Sequence, residues 1–84
     1  MFKGYEYTDL TTTACDSMVS SMTQGVTGIT LDQAKNICDA NADCGYVFDV
    51  TCSGTFGYSF CTRDTDIQTG TSTCVSRKSK LSIL

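Results

Sequence analysis

The chain has 84 residues, a net charge of −3, six cysteines, no histidine and no tryptophan. A chain this short is expected to form one domain over residues 1–84 with a small apolar core. Its acidic balance argues against nucleic-acid binding. No apolar run approaches the ~20 residues that a membrane span requires.

An even number of cysteines in so short a chain predicts a disulfide framework, formed in an oxidising, extracellular compartment. Zinc is the competing interpretation, but zinc sites usually combine closely spaced cysteine pairs with histidine, and the chain has neither. The first stretch is interrupted by Lys3, Glu6 and Asp9, so it does not read as a signal peptide. We therefore expect a secreted protein whose export signal lies outside this sequence, or a module of a longer secreted protein.

Residues 2–10 are predicted to form a short strand, because Tyr5, Tyr7 and Asp9 alternate along one side. Residues 16–29, rich in Ser, Thr and Gly, are predicted to form a loop. A helix follows, because Thr30 is a good N-cap residue and Gln33 completes a capping box. It should end near residue 40 or 41. Its expected buried face consists of Leu31, Ala34, Ile37 and Cys38.

Beyond the helix, residues 46–50 and 56–62 are predicted to form a central hairpin. Phe56, Tyr58 and Phe60 would share one face of its second strand. Residues 63–73 are interpreted as turn-like, and residues 74–79 as a last strand whose charges suit a sheet edge. The predicted fold class is therefore α+β, with one short helix packed across a small antiparallel sheet and stapled by disulfides.

The positions of the cysteines in these elements favour a nested pairing. Cys44 and Cys52 flank the first hairpin strand and would close a short loop, and Cys38 would reach the second hairpin strand from the helix. The predicted pairs are Cys15–Cys74, Cys38–Cys61 and Cys44–Cys52.

One feature opposes this pairing, because Cys61 alternates with Phe60 and should point away from the aromatic face. Either the helix packs on the face that carries Gly57, Ser59 and Cys61, or a bulge intervenes. The small side chains of Gly57 and Ser59 favour the first alternative, since they would let a helix approach closely.

The chain resembles the PAN/apple superfamily over most of its length. The matching residues are the helix segment 28–38, Cys44 followed by Gly-Tyr-Val-Phe, the dipeptide Phe60-Cys61, and the outer cysteines Cys15 and Cys74. The resemblance implies two disulfides between the helix region and the sheet, and in the apple subset a third between the termini. It also implies an extracellular adhesion or recognition module that binds protein or carbohydrate, including sulfated glycans.

Catalysis is not expected, because the chain has no histidine and no Gly-x-Ser-x-Gly motif. Asp39, Asp43 and Asp49 are interpreted as solvated charges. Asp64 and Asp66 lack the rest of a calcium loop. No metal and no cofactor is predicted.

The candidate ligand-binding residues are four cations near the C-terminus that would suit an anionic glycan: Arg63, Arg77, Lys78 and Lys80. Neighbouring residues of a strand point to opposite faces, so at most two or three of the four can converge. The alternative is that they only keep an edge strand soluble.

Two other functions stay open at this stage. The chain could be a structural subunit that self-assembles into an extracellular fibre or coat, or a small secreted inhibitor or toxin. The apolar tail at residues 81–84 could fray or contact a neighbouring chain, in a homo-oligomer or a filament.

Overall fold

A computed structural model describes residues 4–80 of the chain, so the apolar tail at residues 81–84 lies outside the described residues. The elements in chain order are β1 (Tyr5–Cys15), α1 (Leu31–Asp39), β2 (Cys44–Asp49), β3 (Tyr58–Thr62) and β4 (Ile67–Lys80). The strands form one antiparallel sheet in the order β1-β4-β2-β3. The predicted α+β class is confirmed. Within residues 4–80, no helix is long and apolar enough to cross a membrane.

The helix forms where its local sequence predicts it. Thr30 Oγ1 accepts a hydrogen bond from the Gln33 amide at 3.2 Å, and Gln33 Oε1 accepts one from the Thr30 amide at 2.8 Å. This capping box satisfies backbone donors that the first helical turn would otherwise leave unpaired. Ala34 and Cys38 are fully buried, but Ile37, which was expected on the same face, is 40% exposed. The buried stripe is therefore narrower than the periodicity predicts.

The helix packs on the aromatic face of the sheet, where Val47, Tyr58 and Phe60 surround Ala34 and Cys38. The expectation that it packs on the face of Gly57, Ser59 and Cys61 is wrong. The aromatic face offers more apolar area, and burial of that area drives the packing. We name this side of the sheet the helix face and the other side the open face.

Gly57 serves a loop rather than the helix. It has a φ of 85°, and a Cβ atom there would lie 2.7 Å from the Val26 carbonyl oxygen. This turn ends the regular strand, so Phe56 lies outside β3 and is 68% exposed. The predicted alternation of three aromatic residues therefore holds only for Tyr58 and Phe60.

A second, smaller cluster lies on the open face and consists of Cys15, Phe48, Cys61 and Val75. Ala14 packs against it from the end of β1. This end of the strand follows an irregularity: the pairing with β4 runs regularly to Thr11, then resumes at Thr13 opposite Thr69. The offset brings the last residues of β1 against the open face.

All six cysteines are in disulfides, but the predicted nested pairing is wrong. The observed pairs are Cys15–Cys61, Cys38–Cys44 and Cys52–Cys74. Cys61 does point away from the helix, as its alternation with Phe60 requires, and there it meets Cys15. Cys38 bonds instead to Cys44, because the short loop after α1 returns the chain at once to the sheet.

The position of β4 explains the third pair. This strand was expected at an edge over residues 74–79, but it covers 14 residues and lies between β1 and β2. Cys74 faces Asp49 at the end of β2, and the following turn carries Cys52. Much of the segment 63–73, interpreted as turn-like, is therefore strand, and its polar residues pair with β1.

Candidate ligand-binding cleft

Three of the four predicted cations meet at one cavity on the helix face. Arg63, Lys78 and Lys80 line a cleft of about 160 Å³, together with Tyr5. Its remaining lining residues are Ala42, Cys44 and Gly45. Lys80 lies opposite Tyr5 in the β1–β4 ladder, and Arg63 directly follows β3. The sheet order therefore brings residues from two distant strands to the same place.

Lys78 is the most constrained of these cations. Its Nζ atom donates hydrogen bonds to the carbonyls of Cys38 at 2.8 Å and Asn41 at 3.3 Å. It also lies 4.1 Å from the centroid of the Tyr5 ring, which is within cation–π distance. The last carbonyls of a helix carry partial negative charge, so Lys78 closes the C-terminal end of α1.

Burial lowers the pKa of the Lys78 ammonium, while the charge of Asp39 opposes that shift and the charge of Arg63 adds to it. An ammonium has three donor hydrogens, and two of those on Lys78 already bind carbonyls. One donor remains for a ligand. Lys78 thus mainly shapes the cleft. Arg63 and Lys80 are exposed, and they have more donors available for a ligand.

Arg63 reaches the cleft because Gly45 lets its backbone approach. A Cβ atom on residue 45 would lie 2.5 Å from the Arg63 Cα atom. The Arg63 amide donates a hydrogen bond to the Asp43 carbonyl at 3.2 Å, which fixes the chain after β3. The register of β2 with β3 shifts at this point, between Cys44 and Tyr46. Gly45 therefore allows Arg63 to line the cleft. The neighbouring residues in the sequence do not indicate this role.

Arg77 does not join the cleft. It faces Thr8 in β1 and Tyr46 in β2, one position from Lys78 along β4, so it lies on the open face. The prediction that at most two or three cations converge is confirmed by this arrangement. The alternative that these charges protect an edge strand does not fit, because β4 is an inner strand.

A partly buried polar contact lies two residues along β1 from Tyr5, which lines the cleft. The Tyr7 hydroxyl lies 2.6 Å from Asp39 Oδ1 and 3.0 Å from the Lys35 carbonyl oxygen. Burial raises the pKa of Tyr7 far above its usual range, and the hydrogen bond to Asp39 and the charge of Asp39 add to this. Asp39 is therefore held at the end of the helix, within electrostatic range of Lys78.

Other cavities surround the loop between β1 and α1. One of about 440 Å³ is lined by Arg63 together with Ser20, Ser21, Asp43 and Asp64, and so adjoins the basic cleft. Another of about 520 Å³ lies between the loop and the helix and is lined by apolar residues that include Met22, Ile37 and Phe60. Neither brings together cations as the basic cleft does.

The carboxylates hold local structure. Asp49 is 8% exposed, so its interpretation as a solvated charge is wrong. Its oxygens accept hydrogen bonds from the amides of Thr51 at 3.2 Å and Gly54 at 3.0 Å, which organises the turn after β2. Among residues 4–80, no cluster of three or more acidic, cysteine or histidine side chains is placed to hold a metal ion.

Sequence reasoning found the cations but missed the other parts of the cleft. Tyr5 was predicted only as a residue of the first strand, yet it lines the cleft and is 36% exposed. The pairing of Tyr5 with Lys80 depends on the β1–β4 ladder, which no local signal reveals. Comparisons with protein-family models, with curated proteins and with solved structures found no match for this chain.

Proposed function

We propose that the chain is an extracellular binding module of the PAN/apple type that recognises an anionic group on a carbohydrate or protein, as part of a larger secreted assembly. Three disulfides fit a protein that works in an oxidising environment. The observation that carries the proposal is the convergence of Arg63, Lys78 and Lys80 around one cleft in a chain of net negative charge.

The observed disulfide pairing differs from the one that the family resemblance implies, so the proposal takes from the resemblance only the role of a binding module. A role without catalysis is supported by the use of the carboxylates. Asp9 accepts a hydrogen bond from Ser76 at 2.7 Å, Asp39 contacts Tyr7, and Asp49 holds a turn. Each of these three carboxylates thus has a structural partner within the fold.

The chemistry of the cleft favours a sulfate or a carboxylate. Arg63 offers a planar fork of donors that matches either group, and Lys80 offers a mobile ammonium. The cavity holds one such group rather than a whole oligosaccharide. With so few cations the affinity should be weak, and it should fall as salt rises, because exposed charges are screened beyond about 8–10 Å at physiological ionic strength.

Titration of the protein with heparin at low salt tests this proposal. The variant Arg63→Ser should lose at least about tenfold in affinity, which corresponds to ~1.4 kcal/mol. Arg77→Ser is the matched control, because it removes an exposed cation from the opposite face and should keep most of the binding. Lys78 is unsuitable as a first target, since its loss would also disturb the end of the helix.

Two results would overturn the proposal. If Arg77→Ser weakens binding as much as Arg63→Ser does, attraction is diffuse and the cleft is not the site. If the parent protein does not bind heparin at low salt, the cleft does not recognise sulfated glycans. Where the parent protein does bind, its affinity for heparin measured at rising salt separates the two kinds of contact. Affinity for a charged group should fall with salt, whereas affinity from apolar contact should not.

A further inference from the structure

The two edges of the sheet differ in how their backbone groups are satisfied. The outer edge of β3 is covered by the loop between β1 and α1. The amide of Tyr58 donates to the Val26 carbonyl, and the amide of Thr62 donates to the Ser17 carbonyl, both at 2.9 Å. The amide of Phe60 donates to Gln24 Oε1 at 2.7 Å. Alternate amides along the whole of β3 thus have partners, and this edge is closed.

The outer edge of β1 is open within the described part of the chain. No backbone group of another described segment apart from β4 bonds to this strand. The helix packs mainly over β2 and β3. It meets β1 only through side chains on the helix face, where Asp39 contacts Tyr7 and Lys35 pairs with Asp9 at 3.7 Å. An open edge presents unpaired donors and acceptors to any extended strand.

The usual protections of an edge strand are sparse on β1. The segment from Tyr5 to Thr11 pairs regularly with β4, contains no proline and no lysine, and spans about 23 Å. Its only charges are Glu6 and Asp9, and Asp9 is bonded inward to Ser76. A bulge interrupts the strand only after Thr11, where Thr12 has a φ of 50°.

We propose that β1 of one chain pairs antiparallel with β1 of a second copy, which joins the two sheets into one continuous sheet. Side chains that face each other across an antiparallel pair lie on the same face, so a symmetric pairing must be centred on one residue. Centres at Glu6 or Asp9 would place like charges directly opposite each other, which is unfavourable.

A pairing centred on Thr8 uses the whole regular segment. It places Thr8 opposite itself on the open face, where both copies are exposed. The remaining facing pairs are Glu6 with Leu10, Tyr7 with Asp9, and Tyr5 with Thr11. No two like charges face each other in this register, and every residue from Tyr5 to Thr11 gains a partner.

The closed edge of β3 decides what kind of assembly results. Sheet-to-sheet addition into a fibre requires two open edges, whereas an interface between identical strands about a two-fold axis closes at two copies. The loop along β3 would block the second edge, so the expected product is a dimer. The paired segment has seven residues in each copy, against the roughly 20–30 residues a side of a stable complex, so the dimer should be weak.

Sedimentation velocity at rising concentration, to about 1 mM, tests for such a weak dimer. The parent protein should pass reversibly from monomer to dimer. Thr8→Glu should raise the dissociation constant at least about fivefold, because two carboxylates would face each other across the axis. Within one chain the new carboxylate lies beside Arg77 in the ladder, so folding is favoured. Thr27→Glu, in the exposed loop, is the control with the same charge and should dimerise like the parent.

Charge pairing between two variants sharpens the test. Thr8→Lys alone should likewise raise the dissociation constant at least about fivefold. An equal mixture of Thr8→Glu and Thr8→Lys should associate more tightly than either variant alone, because the facing residues then carry opposite charges. Circular dichroism shows whether each variant folds. If one of them does not fold, the dissociation constant of the other still tests the interface. A parent protein that stays monomeric, a dimer that Thr8→Glu leaves intact, or a mixture that does not associate would each overturn the proposed pairing.

Discussion

On the helix face of the sheet, Val47 and Phe60 are covered by an α-helix, and seven buried residues form the cluster. On the open face, Phe48 and Val75 are covered by the end of β1, and four buried residues form the cluster. Two of those four are Cys15 and Cys61, which are bonded to each other. The helix-face cluster also holds a bonded pair, Cys38–Cys44, but these are two of its seven residues. The open face thus depends more heavily on its disulfide than the helix face does.

The polar contacts follow the same division. Side chains from β1 and β4 reach the helix: Tyr7 binds the Lys35 carbonyl and Asp39, and Lys78 binds the last carbonyls. These links hold the helix on its face. In a domain too small for a large core, packing, charged hydrogen bonds and disulfides share the stabilisation, and each face uses them in a different proportion.

The largest expected effect comes from removing the link that closes the open face. Replacing Cys15 and Cys61 by alanine should lower the free energy of unfolding by about 4 kcal/mol, because this bond closes a long loop in the unfolded chain. The same change at Cys38 and Cys44, which close a short loop, should cost about 2 kcal/mol. Urea titrations measure both. Equal losses, or a larger loss at Cys38 and Cys44, would contradict the dependence of the open face on its disulfide.

A smaller effect is expected from Lys78, which acts on the helix face. Lys78→Met keeps the apolar stem but leaves two carbonyls at the end of α1 without their charged donor, so it should cost about 1–2 kcal/mol in the free energy of unfolding. Lys80→Met, an exposed neighbour on the same strand, should change stability by less than about 0.5 kcal/mol. If both variants are equally stable in urea, the contact to the helix contributes nothing.

The smallest expected effect concerns Tyr7 and appears as a dependence on pH. The pKa of Tyr7 is raised in the folded protein above its ordinary value of 10.0. Tyr7 therefore contributes fully to the free energy of unfolding below pH 10.0, and this contribution is lost as pH rises above 10.0. The lowered pKa of Lys78 acts in the opposite direction, since it makes folding easier as pH approaches 10.5.

Tyr7→Phe isolates the first effect, because Lys78 is present in both proteins. At neutral pH the free energy of unfolding of the variant should be lower by about 1 kcal/mol, because phenylalanine cannot donate the hydrogen bond to Asp39. The gap between parent and variant should narrow above pH 10.0. Thermal unfolding at a series of pH values measures it, and a gap that stays constant would show that the hydroxyl is not buried as described.

The features that depend on neighbouring residues could be predicted from the sequence. Thr30, Gln33 and the apolar spacing specify the helix within one turn, and its burial of Cys38 follows from periodicity. The cations of the site were found in the same way, because Arg63 and Lys80 are visible as charges near the C-terminus.

The features that depend on strand order could not be predicted. Whether β4 lies at an edge or between β1 and β2 is set by pairing over long sequence separations, and its polar residues give no apolar alternation to mark it. One wrong disulfide pair follows from that error, since an inner β4 brings Cys74 beside the turn that carries Cys52. The other two follow from the helix packing on the face opposite Cys61. The grouping of Tyr5 with Lys80 was hidden for the same reason.

The pairing of Tyr5 with Lys80 has a mechanical consequence. The two ends of the described chain, at Tyr5 and Lys80, lie at the same end of neighbouring strands. Tension applied at these two ends would therefore act across the strands. It would break the β1–β4 hydrogen bonds one after another, starting beside Tyr5 and Lys80, and would not load them all at once. Peeling would stop where Cys15 and Cys74 tie their strands to the rest of the sheet. Under load the module would lengthen at low force to a fixed limit, and would recover when the tension ceased.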